Sequence, residues 1–119
     1  MPYINVAANI KIQPDARATI KSELGRIIEM MPGKMEKWLM VSFEDEKDIY
    51  FGGDNAQNNV FTTVKMFGRE QDPECYDKLT EAITDALSAN LGIEADRIYI
   101  EYESTMHWGW NGKNFRARN

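Results

Sequence analysis

A chain of 119 residues with formal net charge −5 is long enough for one domain and too short for two ordinary ones. Its 43% hydrophobic and 28% charged residues describe an ordinary globular composition. The acidic balance lacks the basic face of a nucleic-acid binder and offers no attraction to an anionic membrane, so neither partner is expected.

Met1-Pro2-Tyr3 has no basic n-region, and Asn5 and Asn9 interrupt any apolar run, so no signal peptide is expected. No stretch approaches the roughly 20 apolar residues that span a bilayer. Cys75 is the single cysteine and has no internal disulfide partner. With His107 alone beside it, a metal site is not expected either. The reading is an intracellular chain with reduced thiols, no metal and no cofactor, and Cys75 as a plain helix residue.

Tyr3 to Ala8 alternates, with Ile4, Val6 and Ala8 on one side, and reads as a strand. Pro14-Asp15 opens a helix, since proline suits its first turn and an acid suits its dipole. Ala16, Ile20, Leu24, Ile27, Ile28 and Met31 then recur at helical spacing. Pro32-Gly33 stops that helix. Trp38 to Phe43 is a compact apolar run, short enough for a buried strand, and Met30, Met31, Met35 and Met40 are read as packing residues. Phe51-Gly52-Gly53 is a turn. Val60 to Phe67 is the next strand, with Val60, Val64 and Met66 on one face.

Asp72-Pro73 opens a second helix with Asp72 as its expected cap. Tyr76, Leu79, Ile83, Ala86, Leu87 and Leu91 make its stripe, and Gly92 ends it. Ile98, Ile100 and Tyr102 alternate in a final strand. Trp108-Gly109-Trp110-Asn111-Gly112 reads as a turn cluster, and Arg116 to Asn119 as a loosely held tail.

An internal repeat relates the halves. A shift of 59 residues sets Pro14 on Pro73, Leu24 on Ile83, Gly33 on Gly92 and Val41 on Ile100. Each half therefore reads strand–helix–strand, a unit that implies a parallel pair with a right-handed crossover. The fold class is α/β (α+β): two βαβ repeats forming one four-stranded mixed sheet with both helices on one face, a single domain over residues 1–119. The apolar run Trp38–Phe43 asks for cover on the sheet's second face as well. Since the chain holds no third layer, other subunits are expected to supply it; cover by loops and the tail is the alternative.

Pro2 carries the chemistry. Removal of Met1 leaves a pyrrolidine with a free secondary amine. An ordinary α-amino group has a pKa of about 7.7–8.0. A prolyl amine is more basic, but burial and nearby cations disfavour its charged form. Neutral at pH 7, such an amine abstracts a proton next to a carbonyl and returns it elsewhere. The dipeptide alone is weak support for this.

More specific is the series Pro2-Tyr3-Ile4-Asn5-Val6, Gly33-Lys34, Phe51-Gly52-Gly53, Asn90-Leu91-Gly92-Ile93, Asp96-Arg97-Ile98-Tyr99-Ile100 and Gly109-Trp110-Asn111-Gly112, in that order. Over essentially its whole length the sequence resembles the macrophage migration inhibitory factor family of the tautomerase superfamily. The resemblance implies a homotrimer whose sheets enclose a central solvent channel, with an active site at each subunit interface. It implies keto–enol tautomerisation of small aromatic 2-keto acids such as phenylpyruvate, or isomerisation of dopachrome-like compounds.

On that resemblance Pro2 is the catalytic base and Lys34 the cation that meets the substrate carboxylate. Met66 presents a backbone amide to substrate, Tyr99 comes from the neighbouring subunit, and Trp108 and Phe115 form the apolar wall. Trp110 is read as mainly structural. Glu101 stands where well-known members have asparagine, and a carboxylate there would repel acidic rings or prefer a hydrogen-bond donor. Trp108 would narrow the pocket mouth where animal members have valine, and Lys65 would add a second cation. The CxxC motif of the vertebrate cytokine is missing, with Asn58 and Phe61 at its positions, so thiol oxidoreductase activity is not implied. The resemblance leaves a second function open: a cytokine-like trimer acting through its surface on a host receptor. Localisation is read as cytoplasmic, with secretion by a non-classical route as the alternative.

Overall fold

The computed structural model describes residues 1–118. Pro2–Ala8 forms β1, Met40–Glu44 β2, Val60–Phe67 β3 and Ile98–Thr105 β4, in the sheet order β2-β1-β3-β4. Helix α1 spans Pro14–Ile27 and α2 spans Pro73–Leu91. β1 pairs β2 in parallel, β3 pairs β4 in parallel, and β1 pairs β3 antiparallel. The two βαβ units of the repeat thus join through their first strands into one mixed sheet.

Alternation sorts the sheet into two faces. Ile4, Val6, Ala8, Val60, Val64, Met66 and Ile98 point to the helices and are buried with Ile20, Leu24, Leu79, Ile83 and Leu87. Thr62 lies on this buried face too, and its hydroxyl has no partner among the described residues.

The opposite face differs from the expectation. It carries a polar chain rather than bare apolar surface: Tyr3 and Ser42 hydroxyls bond at 2.6 Å, Ser42 donates to Asn5 at 2.6 Å, and Asn5 donates to Glu44 at 2.8 Å. Lys65 and Glu103 pair on the same face at 3.6 Å. The apolar residues of β2, Val41 and Phe43, pack against the helix-side core instead. Met40, Phe61 and Tyr99 are exposed on the same face, so any partner covering it meets a mixed surface of hydrogen-bonded and apolar groups.

Several boundaries move. Trp38 is not in β2, because Glu36–Trp38 closes a 3-10 turn in which Leu39 N–H donates to Glu36 O at 2.9 Å. As an edge strand, β2 leaves Met40 69% exposed; Met30 and Met35 are also exposed, and of these four methionines only Met31 is buried. The α-helical ladder of α1 ends at Ile27 and tightens into a 3-10 turn at Ile28–Met30, ahead of Pro32-Gly33. Asp72 occupies the cap position of α2 but makes no side-chain cap bond.

The Trp108–Gly112 cluster belongs to a hairpin, β5 (His107–Trp110) with β6 (Lys113–Arg116). Asn111 and Gly112 adopt φ of 53° and 74°, the left-handed pair that a two-residue hairpin turn requires. The tail is tied down as far as Arg118: Ala117 N–H donates to Met106 O at 2.8 Å, and Arg118 O accepts from Arg69 at 2.9 Å. Asn119 lies outside the described residues.

Thr62→Val keeps the shape of the buried face and removes an unpartnered hydroxyl. We expect it to raise unfolding free energy by about 1 kcal/mol in chemical denaturation. A loss of similar size would reveal a hydrogen bond to that hydroxyl.

Candidate active site

The antiparallel register of β1 and β3 sets Pro2 opposite Met66. Phe67 N–H donates to Met1 O at 3.3 Å, so the start of the chain lies over the end of β3. Lys34 reaches the same place from the first helix, its Nζ donating to Phe67 O at 2.6 Å. The route is local. Lys34 N–H closes a turn on Met31 O at 3.1 Å, and Gly33 between them sits at φ 77°, which a side chain would resist.

Two cationic groups are thereby held together with restricted access to water. Burial pushes the Met1 ammonium below its ordinary value of 8.0, and the Lys34 charge adds to that. Burial lowers Lys34 as well. The arrangement favours a neutral amine beside a lysine, chemistry suited to taking a proton from a molecule whose anion the lysine holds.

An aromatic wall rises at the same end of the sheet. Gly68 N–H to Thr105 O at 2.8 Å keeps β3 and β4 paired to that end, where the hairpin leaves β4 with its base closed by the Ala117–Met106 bond. Its register pairs Trp108 with Phe115 and Trp110 with Lys113, so these four side chains share one face, while His107 and Asn114 bond each other on the other. Trp110 meets Trp38 edge-on at 5.2 Å and lies 6.0 Å from Phe115. Trp38 and Trp110 remain 42% and 46% exposed.

Trp38 was not singled out by sequence reasoning, and Trp110 was assigned a structural role. The signal for the wall was the Asn-Gly dipeptide between alternating aromatic residues, which marks a hairpin and puts Trp108, Trp110 and Phe115 together.

The remaining candidates lie elsewhere in the chain. Tyr99 pairs with Phe61, itself opposite Ala7, and Glu101 pairs with Thr63, opposite Asn5. Tyr99 is thus five residues along β1 from Pro2, about 17 Å at a strand's rise. It is 56% exposed, in a ring cluster with Phe51 at 5.0 Å and Phe61 at 6.5 Å. Arg97 stacks on Phe51 at 4.9 Å, and its buried Nε and Nη2 have no partner among the described residues. Lys65 does not join Lys34: it projects from the polar face toward Glu103, away from Met66, which is buried on the helix side. Within one chain, then, Pro2, Lys34 and Met66 come together beside the hairpin wall, and Tyr99, Glu101 and Lys65 do not join them.

Comparison with known proteins agrees with the fold. The family described as macrophage migration inhibitory factor matches residues 1–116. The macrophage migration inhibitory factor of Xenopus laevis is 24% identical over 117 residues, covering 97% of this chain and 99% of the relative. The crystal structure of Leishmania major MIF2 superposes with a TM-score of 0.88 at 33% identity, over 97% of each chain. The fold alone is shared with Pt0534, whose structure is of a form inactivated by 2-oxo-3-pentynoate, at TM-score 0.82 and 12% identity over 96% of this chain and 94% of that one.

Replacing Lys34 with alanine removes the smaller of the two causes that lower the terminal amine. In an NMR titration of the chain that keeps Met1, the Met1 amine of Lys34→Ala is expected to titrate higher than in the otherwise unmodified chain while staying below 8.0, because burial persists. The sign for stability follows. Between the lowered value and 8.0 the unfolded chain holds a proton that the folded chain does not, so stability rises with pH through that window.

Proposed function

The chain belongs to the macrophage migration inhibitory factor family of the tautomerase superfamily, and from that membership we propose that it is a keto–enol tautomerase acting on small aromatic 2-keto acids. The observation that carries the reading is the convergence of the chain's N-terminus and the Lys34 ammonium on Phe67, with Pro2 opposite Met66 beside them.

In this reading Met1 is removed and the Pro2 nitrogen becomes the base. Lys34 has three N–H donors and gives one to Phe67 O, which leaves two for a substrate carboxylate. Keto acid bound there presents its C3–H to the Pro2 amine. The amine takes that proton, the C3–H electrons form the carbon–carbon double bond of the enol as the carbonyl π electrons move onto oxygen, and the prolinium hands its proton to that oxygen, which restores the neutral amine. The reverse passage returns a proton from the prolinium to C3. Trp38, Trp110 and Phe115 hold the aromatic ring and keep water from the exchanging proton.

The assembly we propose is a homotrimer in which a neighbouring copy brings Tyr99 and Glu101 to each site. Two features support it. The polar chain Tyr3–Ser42–Asn5–Glu44 suits a face turned to a solvent-filled channel. The exposed Tyr99 cluster and the unpartnered nitrogens of Arg97 suit an edge completed by another chain.

The test is ultraviolet monitoring of phenylpyruvate enol–keto conversion. Pro2→Gly, which still permits Met1 removal, is expected to abolish turnover above background. Lys34→Ala is expected to raise KM by about tenfold, from loss of a charged hydrogen bond. Wild-type turnover no faster than the Pro2→Gly background would sink the reading.

A further inference from the structure

Trp38 reaches the aromatic wall from a short turn at the surface. On one side of the turn Lys34 is fastened to Phe67 O, and on the other Leu39 packs on the core and Met40 pairs with Tyr3. Trp38 N–H to Met35 O at 3.1 Å and Leu39 N–H to Glu36 O at 2.9 Å close the turn on itself. Another bond ties it to the end of the first helical stretch: Glu36 N–H donates to the Glu29 carboxylate at 3.3 Å.

The Glu36 side chain makes the companion tie. It is seated on Gly25 of α1, its carboxyl group filling the space that a side chain at that position would take. Gly25 is buried within the helix and its φ is not left-handed, so the helix backbone itself does not require glycine there and would be stabilised by alanine. Gly25 and Glu29 are four residues apart and lie on one side of the helical stretch. Glu29 holds the backbone of Glu36, and Gly25 receives its side chain. A 3-10 turn has about three residues per turn, so Trp38 leaves it about a third of a turn away from Glu36. Seating Glu36 on α1 therefore turns the indole away from α1, where Lys37 stands over it at 5.0 Å and Trp110 meets it edge-on at 5.2 Å.

We propose that Glu36, through its seat on Gly25, is a positioning residue that sets Trp38 against Trp110, and that this pair gives the site its preference for 2-keto acids bearing a ring. The inference rests on the tautomerase reading above and deepens it. An indole already fixed in place offers a substrate ring its contact without first having to be ordered. Glu36 and Gly25 do not touch substrate; both act through Trp38.

Gly25→Ala tests this because it fills the seat and displaces only the end of a flexible side chain. The first readout needs no turnover. Two coupled indoles give a couplet in far-ultraviolet circular dichroism, assigned to this pair by its loss in Trp38→Phe. The couplet is expected to collapse in Gly25→Ala and in Glu36→Ala, and to persist in Glu36→Gln, which keeps the length of the seated chain. The second readout is exchange of C3 hydrogen for deuterium, followed by NMR, in phenylpyruvate and in pyruvate, which lacks the ring. The ratio of kcat/KM for phenylpyruvate over pyruvate should fall about fivefold in the same two alanine variants, the size of one lost aromatic edge contact. The melting temperature of Gly25→Ala should not fall, since alanine favours the helix. Gly25→Ala/Glu36→Ala should lose no more than either single variant, because both remove one contact. A couplet and a ratio unchanged in Gly25→Ala would overturn the proposal. So would losses that add in the double variant, and so would a ratio that falls only together with the melting temperature. A chain whose couplet responds as expected but which exchanges hydrogen in neither keto acid would refute the tautomerase reading and leave the placement of Trp38 by Glu36 standing.

Discussion

The site depends on the antiparallel pairing of β1 with β3. Each half of the repeat is a parallel βαβ unit, and parallel strands alone would leave the start of β1 far from the end of β3. Joining the halves antiparallel sets Pro2 against Met66 and lays the chain's first residues over Phe67. The same carbonyl end of β3 then receives Lys34 from the turn after α1. One register thus brings the proline at the start of β1 and a cation together, and a slip by one residue would turn Pro2 to the polar face.

The two halves of the repeat differ at this end of the sheet. The shift of 59 residues that aligns Gly33 with Gly92 sets Lys34 on Ile93. Both glycines adopt left-handed φ; Gly92 caps α2, and Gly33 lies in the turn beyond Ile28–Met30. The residue after Gly92 is a core side chain, 2% exposed, whereas the residue after Gly33 is an ammonium bonded to a strand end. Where two halves of a repeat keep the backbone and differ in polarity, the polar member has been released from packing.

Most of the fold was legible because each element had its own period and its own stop. β3 was readable from Val60 to Phe67, and both helices opened at their prolines. The part of the site that was legible, Pro2 with Lys34, was so through resemblance, since the dipeptide and a lysine after a helix are individually common. The errors differ in cause. Trp38 was judged by hydrophobicity, which cannot separate a buried strand from an aromatic residue held at a surface by a 3-10 turn, and the 108–112 segment by its glycines and asparagine, which mark a turn without showing the strands on either side. The polar chain on the far face was missed because Tyr3, Asn5, Ser42 and Glu44 are spread over two strands 35 or more residues apart, and only parallel pairing brings them into hydrogen-bond range.

The central claim is that the amine at the start of β1, placed beside Lys34, moves the proton. It is tested most directly by intact mass spectrometry of the mature chain on the same sample whose phenylpyruvate turnover is followed. The account predicts an active sample whose mass lacks the initiator methionine, with Pro2 as its first residue. Full activity in a sample that wholly retains Met1, where the Pro2 nitrogen is an amide, would contradict it.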